Sequence, residues 1–236
     1  DGQLFGATVS GPGLDLIDAT YAYGFARLRG VLPAGTYGGY PPDYFSTAYD
    51  AGYGSWGLAS QDHRDQGILG YQFMIADTQS GPDSWWESAG SPSTSSPWAG
   101  SHPSTGQGSS PHAWGMAEAN KVLLDSLVAE RSDGALIVGR GVPGAWLGGG
   151  RAIAVTDFPT TDGHRLGVTI SSRGTSVSLT LTGSMPPGPV LFELPTFVND
   201  IATVSAGSVD EQAGTVTLPS RARHVTIELE HAPAPS

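Results

Sequence analysis

Residues 112–139 read HAWGMAEANKVLLDSLVAERSDGALIVG, and within them the hydrophobic period changes. Up to Arg131, Met116, Leu123 and Leu127 share one face with Ala117, Leu124 and Val128 beside them, the stripe of a helix that buries one side. Pro111 stands where a first helical turn tolerates a missing N–H, so the helix is expected over 111–131. From Asp133 onward the runs become short, β-branched and alternating. LIVG, AIAVTDF, RLGVTISS, TSVSLTLTG, PVLFEL, IATVSAG, GTVTLP and HVTIELE succeed one another, separated by turn sequences such as TTDGH, SSRGT and MPPGP. Eight such runs predict an antiparallel β-sandwich. The predicted organisation is therefore mixed, with a helical part over residues 1–132 and a sandwich over 133–236.

Upstream of that junction the helical signals are interrupted by glycine. Leu14, Ile17, Tyr21, Phe25 and Leu28 fall at helical spacing, and Asp15 and Asp18 lie near the positive end of the helix dipole. Ser60 as N-cap and Ile68, Leu69, Phe73 and Ile75 as a face predict a second helix over about 60–77. Between them lies a stretch rich in aromatic residues and glycine, with a short helix expected around Phe45–Asp50. Tyr49, Tyr53 and Trp56 sit among its glycines, which let a backbone approach a ligand closely. They are candidates for a pocket rim; a small aromatic core beneath a loop is the equal alternative for each.

The candidate chemistry lies in residues 79–115, where Gly, Ser and Pro predict a long loop. Trp85 and Trp86 stand directly before a lone acid, Glu87. Indole faces stack on sugar rings, and a carboxylate among them is a candidate proton-exchanging group, so the run reads as a saccharide site. The plainer alternatives are a solvated glutamate and two core tryptophans. His112 and Trp114 stand at the mouth of the next helix as further candidates, a helix-start hydrogen bond serving equally for His112.

Composition bounds the function. An apolar fraction of 39% in 236 residues supports a substantial core. The 22 acidic against 11 basic residues give a net charge of -11, which repels nucleic-acid phosphates and anionic membranes. A neutral ligand fits better. The absence of cysteine removes disulfides and thiolate chemistry. No His and acid cluster has tetrahedral metal spacing, so no cofactor is expected, and a structural Ca2+ on loop oxygens is left open. No apolar run is long enough for a membrane span and no leader is visible, while the start at Asp1 suggests a processed or truncated product, soluble and secreted.

Four motifs carry a family resemblance: YDAGYGSWGL (49–58), HRDQGILGYQFMI (63–75), QSGPDSWWE (79–87) and SPHAWGMAEANKVLLDSL (110–127). In this order they resemble the last helical hairpins of (α/α)6-barrel glycosidases, most closely glycoside hydrolase family 63 and its bacterial relatives. Trehalases and α-L-rhamnosidases are similar at greater distance. The resemblance implies hydrolysis of a glycosidic bond with inversion, Glu87 acting as general base and Trp85, Trp86, Tyr49, Tyr53, Trp56, His112 and Trp114 contacting an oligosaccharide or glycoside. It also implies a terminal β-sandwich. A complete barrel needs more helices than residues 1–132 hold, and the family's general acid, an Asp well upstream, has no counterpart; Asp43 and Asp50 do not take its role. A companion polypeptide completing the barrel is therefore expected. A carbohydrate-binding module without turnover and a structural assembly module are the alternatives.

Overall fold

The computed structural model describes residues 12–31, 47–60, 63–77, 79–89, 106–131 and 133–233. The described residues divide into two compact units, one before and one after the boundary between Asp125 and Ser126.

The first unit opens with helices α1 (Pro12–Val31), α2 (Thr47–Ala59) and α3 (Arg64–Asp77). The described part of the glycine-rich stretch read as a pocket rim is thus helix α2, where Gly57 serves packing. A Cβ on Gly57 would lie 2.5 Å from the Cα and N of Gly67, and one on Gly67 would lie 2.5 Å from the N of Leu58. The main chains of α2 and α3 therefore touch, as side chains larger than hydrogen would prevent. Gly24 does the same for α1, where a Cβ would come within 2.3 Å of the Tyr53 ring.

After α3 come two short hairpins, β1 (Gln79–Gly81) with β2 (Ser84–Trp85), and β3 (Ser88–Ala89) with β4 (Gly106–Gln107). Asp83 closes the first at φ 49, a left-handed position that a short polar side chain tolerates. Helix α4 (Ala113–Leu127) comes next and runs directly into strand β5 (Val128–Glu130).

The second unit continues with β6 (Leu136–Val138), a short helix α5 (Gly144–Gly148), β7 (Ile153–Pro159), β8 (Arg165–Arg173), β9 (Ser176–Gly183), β10 (Val190–Glu193), β11 (Ile201–Val204), β12 (Ser208–Asp210), β13 (Thr215–Thr217) and β14 (His224–Leu229). They form two five-stranded sheets, ordered β12-β13-β10-β6-β5 and β11-β14-β9-β8-β7. The β8–β9 hairpin turns at Gly174, whose φ of 63° suits the mirror-image turns that match strand twist. Strict alternation buries Leu166, Val168 and Ile170 on β8, Val177, Leu179 and Leu181 on β9, and Val225, Ile227 and Leu229 on β14. These join Leu136, Val138, Phe192 and Val216 of the other sheet in a single hydrophobic cluster. Phe192, on the central strand β10, meets Phe197 edge to face at 5.0 Å.

Two expectations are corrected. Strands outnumber helices among the described residues, fourteen strands in four sheets beside five α-helices, so residues 1–132 are not an all-α series of (α/α)6-barrel hairpins. The hairpins between α3 and α4 escape sequence reading because strands of two or three residues have no period. Nor do residues 133–236 form an all-antiparallel sandwich. Each of the eight alternating runs contains a strand, but β6 and β10 pair in parallel, Leu136 opposite Val190, and β5 adds a strand where helix was expected. The helical face of Leu124, Leu127 and Val128 continues smoothly into the strand, so the residues alone do not mark the change. At the turn between β5 and β6, Arg131 hydrogen-bonds Asp133 at 2.6 Å and holds its carboxyl below the usual range.

Candidate functional site

Glu87 is placed by two antiparallel stretches of main chain. The His112 N–H donates to the Trp85 carbonyl at 3.0 Å, the Glu87 N–H donates to the Ser109 carbonyl at 3.1 Å, and Ser88 pairs with Gln107. Hydroxyls stitch the same corner, Ser110 Oγ donating to Ser80 Oγ at 2.6 Å. The Glu87 side chain lies across Gly108. A Cβ there would come within 2.4 Å of Glu87 Oε2 and 2.7 Å of its Cβ, and Gly108 has φ 80, so glycine is needed on both counts. The carboxylate itself is exposed.

The two tryptophans part company. Trp85 is 3% exposed, its indole N–H donating to the Met74 carbonyl at 2.9 Å, so it anchors β2 to α3. Trp86 is half-buried. Trp114 is 47% exposed, with its ring 6.1 Å from that of His112. His112 caps α4: its Nδ1 accepts the Gly115 N–H at 3.2 Å while its carbonyl accepts the Met116 N–H at 2.9 Å. Pro111 lies one residue before the cap rather than in the first turn. His112→Ala is expected to lower stability by about 1 kcal/mol in a denaturant titration, with His112→Asn retaining most of it.

Tyr53 and Trp56 are elsewhere in the first unit, in an aromatic cluster with Tyr21 and Phe25. Trp56 is 6% exposed and stacks on Tyr21 at 5.2 Å, and its indole N–H donates to Asp18 Oδ1 at 3.2 Å. Tyr53 meets both Tyr21 and Phe25 edge to face. Burial from water raises the Tyr21 hydroxyl above its ordinary value. Tyr49 belongs to α2, but its side chain lies outside the described ones, as do Asp43 and residues 90–105. The structure thus joins the main chain of Trp85 and Glu87 to that of His112 and Ser109, sets the His112 and Trp114 rings 6.1 Å apart, and places Tyr53 and Trp56 in the aromatic cluster.

Sequence reading missed Gly108 and Ser109, which position Glu87, and Asp18, which gathers Trp56, Ser60 Oγ at 3.4 Å and His63 at 3.8 Å. The signal for Gly108 was present as the TGQG run, where a glycine two residues after another marks a backbone needing freedom. Asp18 gave none, since a helical acid is usually solvated. Among the described residues no group of three or more His, Asp or Glu is arranged to hold a metal, and no helix is long and apolar enough to cross a membrane.

No protein-family model, curated protein or solved structure matches the chain.

Proposed function

We propose that the corner formed by Trp86, Glu87, His112 and Trp114 is a carbohydrate site, and that the chain contributes the general base of an inverting glycoside hydrolase. The observation that supports it is the placing of Glu87: its main chain is tied to Ser109 and its side chain rests on Gly108, where a Cβ would collide with it. A carboxylate on a main chain so placed can take a proton from a water poised on one face of a sugar ring. Trp114, exposed at the same corner, offers an indole face to stack on that ring. The acid that protonates the leaving oxygen sits about 6.5–9.5 Å from such a base, leaving room for the water. A companion polypeptide is proposed as its source. An extracellular setting accompanies this reading, since polymeric glycosides are met there.

Binding without turnover is the second reading, favoured by the exposure of Glu87. Glu87→Gln separates the two in the assembled protein. With Glu87 as base, hydrolysis of a panel of nitrophenyl glycosides falls about 10²-fold while sugar affinity is kept. Unchanged turnover ends the assignment. Sugar binding by calorimetry with no hydrolysis by the parent protein establishes the second reading, and absence of both leaves an assembly module.

A further inference from the structure

In the second unit, the β9–β10 connection and the β13–β14 turn flank a cavity of about 540 Å³ that is open to solvent. Met185, Pro186, Pro187, Pro189 and Pro219 form its walls, and Arg221 is the one ionisable side chain among the residues lining it. The volume falls within the range of small-molecule pockets, about 300–1,000 Å³. We propose that this cavity binds a small aromatic carboxylate, its ring against the proline faces and its carboxylate on the Arg221 guanidinium.

Three observations carry this. First, among the described residues no carboxylate pairs with Arg221, in a chain where acids outnumber bases two to one. Its neighbour Arg223 is by contrast occupied, donating to the Gly183 carbonyl at 2.8 Å. Second, Arg221 stands at φ 66 in a turn closed by the Ala222 N–H on the Pro219 carbonyl at 2.9 Å. Glycine is the residue that such a position favours, so an arginine there gives up local stability to present its side chain. Third, Pro186, Pro187, Pro189 and Pro219 give rigid walls that lose no side-chain freedom on binding and offer one flank to a flat ring, polar atoms making up more of the remaining surface. The overall charge opposes approach of an anion from afar. At physiological salt, however, that repulsion is screened beyond about 8 Å, and the local guanidinium decides. The inference uses none of the residues around Glu87 and stands apart from the glycosidase reading.

The test uses the full chain, isotopically labelled, titrated with phenylacetate, benzyl alcohol and acetate. Phenylacetate is expected to shift the amide resonances of Gly188, Val190 and Ser220, with benzyl alcohol and acetate binding at least about tenfold more weakly. Arg221→Gly is expected to melt no lower than the parent, because it relieves the turn, while losing phenylacetate at least about tenfold. Arg221→Gln removes the charge but keeps a polar, non-glycine side chain, and the same loss is expected with it should the glycine variant not fold. The proposal is overturned by phenylacetate leaving those resonances unmoved at millimolar concentration. It is equally overturned by benzyl alcohol binding as tightly, or by a folded Arg221 variant that binds phenylacetate as the parent does.

Discussion

Phe192→Ala is expected to lower the stability of the second unit by about 3–5 kcal/mol, seen as a fall in denaturant midpoint with little change in slope. Phe192 is wholly buried on β10, the middle strand of its sheet, and its ring is the partner of Phe197 in an edge-to-face contact at 5.0 Å. Truncation removes the ring's burial and leaves a hole that β6 on one side and β13 on the other cannot close, because their own positions are fixed by ladder hydrogen bonds. Val209→Ala on the edge strand β12 is the comparison. Val209 is 37% exposed, and its truncation is expected to stay within about 0.5 kcal/mol of the parent. Equal losses in the two variants would mean that the core is not organised around β10.

Gly57→Ala is expected to destabilise the first unit by about 1–3 kcal/mol, although the same exchange inside an open helix stabilises by about 0.5–1 kcal/mol. The contact decides the sign. The new methyl would lie 2.5 Å from the Gly67 Cα and 2.8 Å from the His63 carbonyl, both main-chain atoms that yield only if α3 moves. Gly52→Ala on the same helix is the control, since its methyl would meet only the Tyr21 hydroxyl, at 3.9 Å. It is expected to raise the melting temperature slightly. A Gly57→Ala protein that melts as high as Gly52→Ala would show that α2 and α3 are not in main-chain contact.

These two sites also mark what a reader of the residues can and cannot see. The alternation in RLGVTISS and TSVSLTLTG has a physical cause, one buried face per strand, and it places Val168, Ile170, Val177 and Leu179 inward before any coordinates are known. The glycines of YDAGYGSWGL have several causes that look alike in sequence. A ligand, a turn and a neighbouring helix all ask for a missing Cβ, and here the helix is the answer, which carries Tyr53 and Trp56 away from a pocket rim and into a core. The same ambiguity governs the Trp85 and Trp86 pair. Adjacent residues on an extended chain face opposite ways, so one indole was bound to turn inward, yet only the Met74 carbonyl waiting for an N–H identifies it as Trp85. The predicted barrel failed for a related reason, since motifs of a few residues report local chemistry and carry no information about the strands between them.

The parallel pairing of Leu136 with Val190 joins residues far apart in the chain, which bears on the order of assembly. Between those residues the chain must first travel through β7, β8 and β9, and closing so wide an interval is entropically unfavourable while it remains loose. The hairpin of β8 and β9 joins neighbours across a two-residue turn and can form early, shortening the free chain before β10 arrives. The β6–β10 pairing is therefore expected to form after the β8–β9 hairpin, leaving the apolar face that Phe192 covers open until then.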